Sequence, residues 1–154
     1  MNPVTDIKAT TRKATFSRET SVSVNIEADA AIIWALLTNA ADFPRWNSTV
    51  IFISGKIQNG ETIELKSTLD EKRTFKLKIK EFVPNQRLVW GDPMGSRVYS
   101  LKETGKGTLF SMSEKIGGPL FPLFAGMIPS FDESFERFAA DLKKEAEDIQ
   151  NSKK

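Results

Sequence analysis

The stretch RTFKLKIKEF (73–82) constrains the fold more than any other part of the chain. Phe75, Leu77 and Ile79 alternate with Lys76, Lys78 and Lys80. Successive side chains of a strand point to opposite faces, so this segment carries one apolar face and one row of ammonium groups. A sheet that is wet on one side must cover its other side with something. The lysine row reads either as a solvated outer face or as a phosphate-binding patch, and the solvated face is the simpler reading.

The neighbouring segments extend this sheet. ETSVSVNI (19–26) alternates in the same way, with Val22, Val24 and Ile26 on one face. STVIFISGKI (48–57) and ETIELKSTLD (61–70) flank Asn59-Gly60, the strongest short hairpin signal. RLVWG (87–91), SRVYSLKET (96–104) and GTLFSMSEKI (107–116) follow, separated by Pro84-Asn85, Asp92-Pro93-Met94-Gly95 and Gly105-Lys106. The pattern predicts seven strands, six of them in an antiparallel meander.

Two helical regions complete the α+β pattern. Asp29 is placed to cap a helix over DAAIIWALLTN, and a short second helix or turn follows at Ala40–Phe43, limited by Pro44. From Met127 to Ile149, the residues Phe131, Phe135, Phe138, Leu142, Ala146 and Ile149 recur at spacings of three and four. This predicts a long amphipathic helix whose phenylalanine stripe needs the apolar face of the sheet. The expected organisation is a flexible tail over 1–18 and one domain over 19–150.

Composition removes several classes of chemistry. The chain has 154 residues with no cysteine and no histidine. That excludes disulfides, thiolate metal sites, a cysteine nucleophile and a Ser-His-Asp triad. No metal-ligand spacing or phosphate-cradling loop appears, so no cofactor is expected. The net charge is +2, and residues 1–18 carry +3 of it through Lys8, Arg12, Lys13 and Arg18 against Asp6. A basic tail rather than a basic groove argues against nucleic-acid binding. The N-terminus lacks the apolar region of a secretory signal, and no run approaches the ~18 apolar residues of a membrane span. The expected location is cytoplasmic.

Turn lengths assign the inner face. A two-residue Asn-Gly loop pairs Gln58 with Glu61 and sets Val50, Phe52 and Ser54 beside Leu69, Ser67 and Leu65. A two-residue Gly105-Lys106 loop pairs Leu101 with Phe110, Tyr99 with Met112 and Arg97 with Glu114. Whether the contact between this face and the long helix is solid or hollow stays open; if it is hollow, the candidate walls are Trp46, Phe52, Leu65, Trp90, Tyr99, Phe110, Met112, Phe131 and Phe135. The alternative is that all are ordinary core. Arg97 and Glu114 are polar candidates at one cavity end, either as a rim ion pair or as an acid and base. Asp92 reads as a turn residue. The stretch IGGPLFPLFAGMIPSF (116–131) has no charge. It is either a lid, with Phe121 and Phe124 covering one cavity end, or a plug in the core.

The element order covers residues 19–149. Within it, IIWALLTNAADFPRWN (32–47) carries Trp34, Leu37-Thr38 and Phe43-Pro44-Arg45-Trp46-Asn47, and KIGGPLFPLF (115–124) precedes the long helix. These features resemble the START-like, or SRPBCC, helix-grip superfamily in its polyketide cyclase/dehydrase-like branch. Asn39 and Ser48 stand where that family often has Asp and Pro. The resemblance implies a seven-stranded curved antiparallel sheet, two short helices and a long C-terminal helix over a cavity for hydrophobic small molecules. It does not imply one activity. Three functions stay open: binding of a lipid or aromatic metabolite, a cyclase or dehydratase-type enzyme, and a co-chaperone-like module with a protein partner.

Overall fold

A computed structural model describes residues 7–153. Eight strands form one antiparallel sheet: β1 (Thr10–Lys13), β2 (Ser17–Ile26), β3 (Val50–Ser54), β4 (Thr62–Ser67), β5 (Asp70–Val83), β6 (Arg87–Asp92), β7 (Gly95–Thr104) and β8 (Gly107–Gly117). Their order across the sheet is β1-β2-β8-β7-β6-β5-β4-β3. The helices are α1 (Ala30–Thr38), α2 (Phe43–Trp46), α3 (Phe121–Phe124) and α4 (Asp132–Ser152). Short 3-10 turns at Ala40–Asp42 and Ala125–Met127 precede α2 and follow α3. Asp29 stands at the N-cap of α1, but its side chain makes no capping hydrogen bond. Its backbone N–H instead donates to Gln150 Oε1 of α4 (2.9 Å).

The eighth strand lies where the sequence suggests a tail. β1 pairs with β2 from Thr10↔Ser21 to Lys13↔Arg18. TTRK lacks apolar alternation because β1 is an edge strand held mainly by backbone pairing. Ile7 is buried, the Ala9 N–H donates to Glu136 Oε2 (2.9 Å), and the Thr11 hydroxyl bonds Asp132. Residues 7–18 are therefore built into the fold, while the first six residues of the expected tail lie outside the described residues.

Arg18 is the clearest departure from a solvated tail. Its side chain is buried, and its guanidinium donates to Ile128 O (3.2 Å) and Pro129 O (2.8 Å). It also lies 5.2 Å from the Phe131 ring centroid. One cation thus ties the start of β2 to the segment entering α4. Arg18→Met keeps the apolar stem and removes the donors. It is expected to cost about 1.5 kcal/mol and to speed amide exchange across 125–131. Unchanged exchange there would show that Arg18 does not hold the segment.

The register of β7 and β8 follows the Gly105-Lys106 turn: Leu101↔Phe110, Tyr99↔Met112 and Arg97↔Glu114 are partners. The register of β3 and β4 does not follow Asn59-Gly60. Phe52 pairs with Lys66 and Ile53 with Leu65, with an irregularity between Val50 and Phe52. The Asn-Gly turn itself forms, since the Glu61 N–H donates to Gln58 O (3.1 Å). Before it, however, Gly55 adopts φ +100° and Ile57 turns into the core. Over residues 52–54 the pairing is moved by one residue, which exchanges the faces of that segment, whereas the irregularity after Val50 keeps Val50 buried on the inner face.

The phenylalanine stripe of α4 closes over the sheet. Phe138 is the hub, with Tyr99 at 5.7 Å, Phe43 at 5.9 Å, Trp46 at 6.0 Å and Phe110 at 6.3 Å between ring centroids. Polar contacts fix the rest of the helix: Asp141 accepts from the Ser48 N–H (2.8 Å), and Glu147 accepts from the Glu27 N–H (2.9 Å). This half of the sheet–helix contact is solid. The other half is not.

Candidate functional site

A cavity of about 750 Å³ lies between the sheet and the segment entering α4. Its floor and walls come from β3 to β8, and its cover comes from Phe124, Met127, Ile128, Pro129 and Phe131. The strands supply Leu65, Leu69, Phe75, Leu77, Trp90 and Ile116 as the larger apolar surfaces. The β5 members of that wall are the alternating positions read from RTFKLKIKEF. Their lysine neighbours are exposed.

Three polar side chains meet on the sheet side. Trp90, Arg97 and Glu114 are cross-strand partners on β6, β7 and β8. Arg97 Nε donates to Glu114 Oε1 at 2.6 Å, and their side chains are only 15% and 21% exposed. The guanidinium also lies 4.9 Å from the Phe135 ring centroid. Arg97 Nη1 approaches the Tyr99 hydroxyl oxygen at 3.5 Å. Burial acts to lower the Arg97 pKa, but the opposite charge of Glu114 and the Tyr99 contact outweigh it and raise it. Burial pushes the Tyr99 phenol up to about 12, with Arg97 pulling the other way. At neutral pH, Tyr99 is therefore a hydrogen-bonding group with its proton in place.

Of the residues expected from the sequence, Leu65, Trp90, Tyr99, Phe124, Phe131, Arg97 and Glu114 border this cavity. The others do not. Phe52 lies on the opposite face, with the Lys66 ammonium 5.8 Å from its ring, because the β3 register slips. Trp46, Phe110 and Met112 are buried in the solid half of the core. Phe135 is fully buried beneath Arg97 and stacks on Phe131 at 6.1 Å. Phe121 is buried and meets Phe124 edge-on at 5.9 Å, so it supports the cover from behind. The Trp46 indole N–H has no hydrogen-bond partner among the described residues.

Sequence reasoning missed Arg73, Phe75, Leu69 and Asp70. All four belong to or adjoin the β4–β5 hairpin at the cavity mouth. Arg73 lies 4.5 Å from the Phe75 ring centroid. The alternation on β5 was a usable signal for Phe75 and Leu77. Asp92 also borders the cavity, and its Oδ1 accepts from the Met94 and Gly95 N–H groups (2.9 and 3.1 Å), as a turn residue does. The uncharged stretch is split in role: Phe124, Ile128 and Phe131 face the cavity, Met127 borders it while largely exposed, and Leu120 and Leu123 are exposed away from it.

The sequence profile of the polyketide cyclase / dehydrase and lipid transport family matches residues 17–147. The chain belongs to this family. No curated protein matches it in sequence. Solved structures with the same fold include a protein from Rhodobacter sphaeroides, at 17% identity and TM-score 0.67, covering 92% of this chain and 99% of that one. A START superfamily protein from Mycobacterium smegmatis has 18% identity and TM-score 0.62, covering 85% and 98%. A conserved protein of unknown function from Enterococcus faecalis has 17% identity and TM-score 0.64, covering 88% and 75%. At these identities the likeness concerns the fold alone. The family's fold is the START-like helix grip expected from the element order, with one strand more than the sequence suggested. Among the described residues no helix is long and apolar enough to cross a membrane, and no cluster of candidate metal ligands occurs.

Proposed function

We propose that this chain binds a hydrophobic small molecule, a lipid or an aromatic metabolite, between the sheet and the segment entering α4. The observation that carries the reading is the cavity of about 750 Å³, walled mainly by large apolar side chains with polar groups set among them. Ligand sites have this size and this composition. Membership of a family that includes lipid transport supports the same reading. A cavity of this volume also argues against a co-chaperone-like module with a collapsed interior.

The geometry favours binding over cyclase or dehydratase chemistry. Such a reaction needs a group that exchanges a proton near neutral pH. Tyr99, at about 12, keeps its proton, and Arg97 stays charged. Glu114 is occupied by Arg97, and Asp92 by backbone N–H groups. These contacts suit side chains that orient a ligand.

Native mass spectrometry of freshly purified protein, followed by organic extraction, tests the proposal. The expected result is a discrete mass excess that extraction removes, and delipidated protein that takes up the neutral dye Nile red. Failure of the delipidated protein to bind Nile red, together with a clean apo mass, would contradict it.

A further inference from the structure

The charged side chains that border the cavity are Asp70, Arg73, Asp92, Arg97 and Glu114. Two cations face three carboxylates, which leaves one net negative charge. The buried cation already has its charge paired. Its Nε is bonded to Glu114, its Nη1 lies at the Tyr99 oxygen, and it packs against the Phe135 ring. Arg73 is the other cation, and it sits exposed at the mouth over Phe75. A carboxylate or phosphate head drawn inside would lose its water and meet a guanidinium whose charge Glu114 already neutralises. It would also approach the Glu114 carboxylate.

The Tyr99 hydroxyl offers the opposite opportunity. Its oxygen accepts from Arg97, so its own proton is left to donate. That proton can be donated to a carbonyl or an alcohol oxygen, acceptors that bring no further negative charge beside Glu114. We infer that the cavity selects uncharged lipophiles with a carbonyl or hydroxyl head, oriented by Tyr99, and discriminates against fatty acids and other anions. The Arg97–Glu114 pair is the specificity element: it stiffens the polar side of the cavity while cancelling the charge that would otherwise recruit an anion. The inference rests on the binding reading above.

Competition against Nile red with a matched pair, dodecanol and dodecanoate, tests it on the delipidated full chain. Wild type is expected to bind dodecanol about tenfold more tightly than dodecanoate at neutral pH. Glu114→Gln removes the partner anion and uncovers Arg97. It should raise dodecanoate affinity about tenfold and bring the two ligands level or reverse them. Tyr99→Phe should weaken dodecanol several-fold and leave dodecanoate nearly unchanged. Should Glu114→Gln fold poorly, the double variant Arg97→Gln/Glu114→Gln removes both charges and should keep the wild-type preference for the alcohol. Equal or tighter binding of dodecanoate by wild type overturns the inference but leaves the cavity as a binding site. An unchanged ratio in folded Glu114→Gln overturns the assigned role of the pair. Absence of Nile red binding and of both ligands overturns the binding reading itself.

Discussion

Phe138→Ala is expected to destabilise the protein by about 3–5 kcal/mol, the range for emptying a phenylalanine-sized space in a packed core. Phe138 is almost fully buried and touches the rings of Phe43, Trp46, Tyr99 and Phe110. Those rings come from α2, β7 and β8, so no single element can move to refill the space. The midpoint of urea denaturation measures the loss. Phe131→Ala provides the contrast, because one side of that ring already borders the cavity. Its loss removes less packing and is expected to cost about 2 kcal/mol. Equal costs at the two positions would mean that α4 packs alike along its length and that the cavity is not there in solution.

The second large effect is at high pH. Tyr99 is the only tyrosine in the chain, so phenolate absorbance in the near ultraviolet reports it alone. The folded midpoint is expected at about 12; the denatured chain should titrate at about 10. Because the folded pKa is the higher one, the native state holds the proton after the unfolded state has released it. The associated stability is complete below pH ~10 and is lost as pH rises through about 12. Two pKa units correspond to about 3 kcal/mol. Comparing the alkaline unfolding of wild type with that of Tyr99→Phe isolates this contribution from the many lysines. A folded-state midpoint near 10 would place Tyr99 in water and remove it as the proposed donor.

The comparison of β3–β4 with β7–β8 shows which parts of the site could be read in advance. Both hairpins carry strong turn signals, and both sets of strands alternate. The Gly105-Lys106 turn closes directly onto paired strands, Thr104↔Gly107, so counting outward reaches Arg97↔Glu114 correctly. The Asn59-Gly60 turn is separated from β3 by Gly55 and Ile57. Ile57 is buried in the core, and Gly55 takes a positive φ two residues before it. Burial of one isoleucine outweighs the regular hairpin, and the slip sends Phe52 to the outer face. A β-turn is a local preference of a few residues, whereas the face a strand buries is decided by everything packed against it.

The sequence by itself determined the periodicities: which face of β2 and of β5 to β8 is apolar, which stripe of α4 must be covered, and where the tight turns fall. These follow from residue order because side-chain direction repeats every two residues in a strand and about every 3.6 in a helix. From them came the helix-grip order of elements and the Tyr99, Arg97 and Glu114 neighbourhood. Only the tertiary structure decided that Arg18 is buried beneath the α4 entry, that β1 joins the sheet edge, and that the contact is solid at Phe138 but hollow at Phe131. A void is bounded by side chains from many separate elements, and its existence depends on how far the sheet bends away from the helix. No periodicity along one segment encodes that distance.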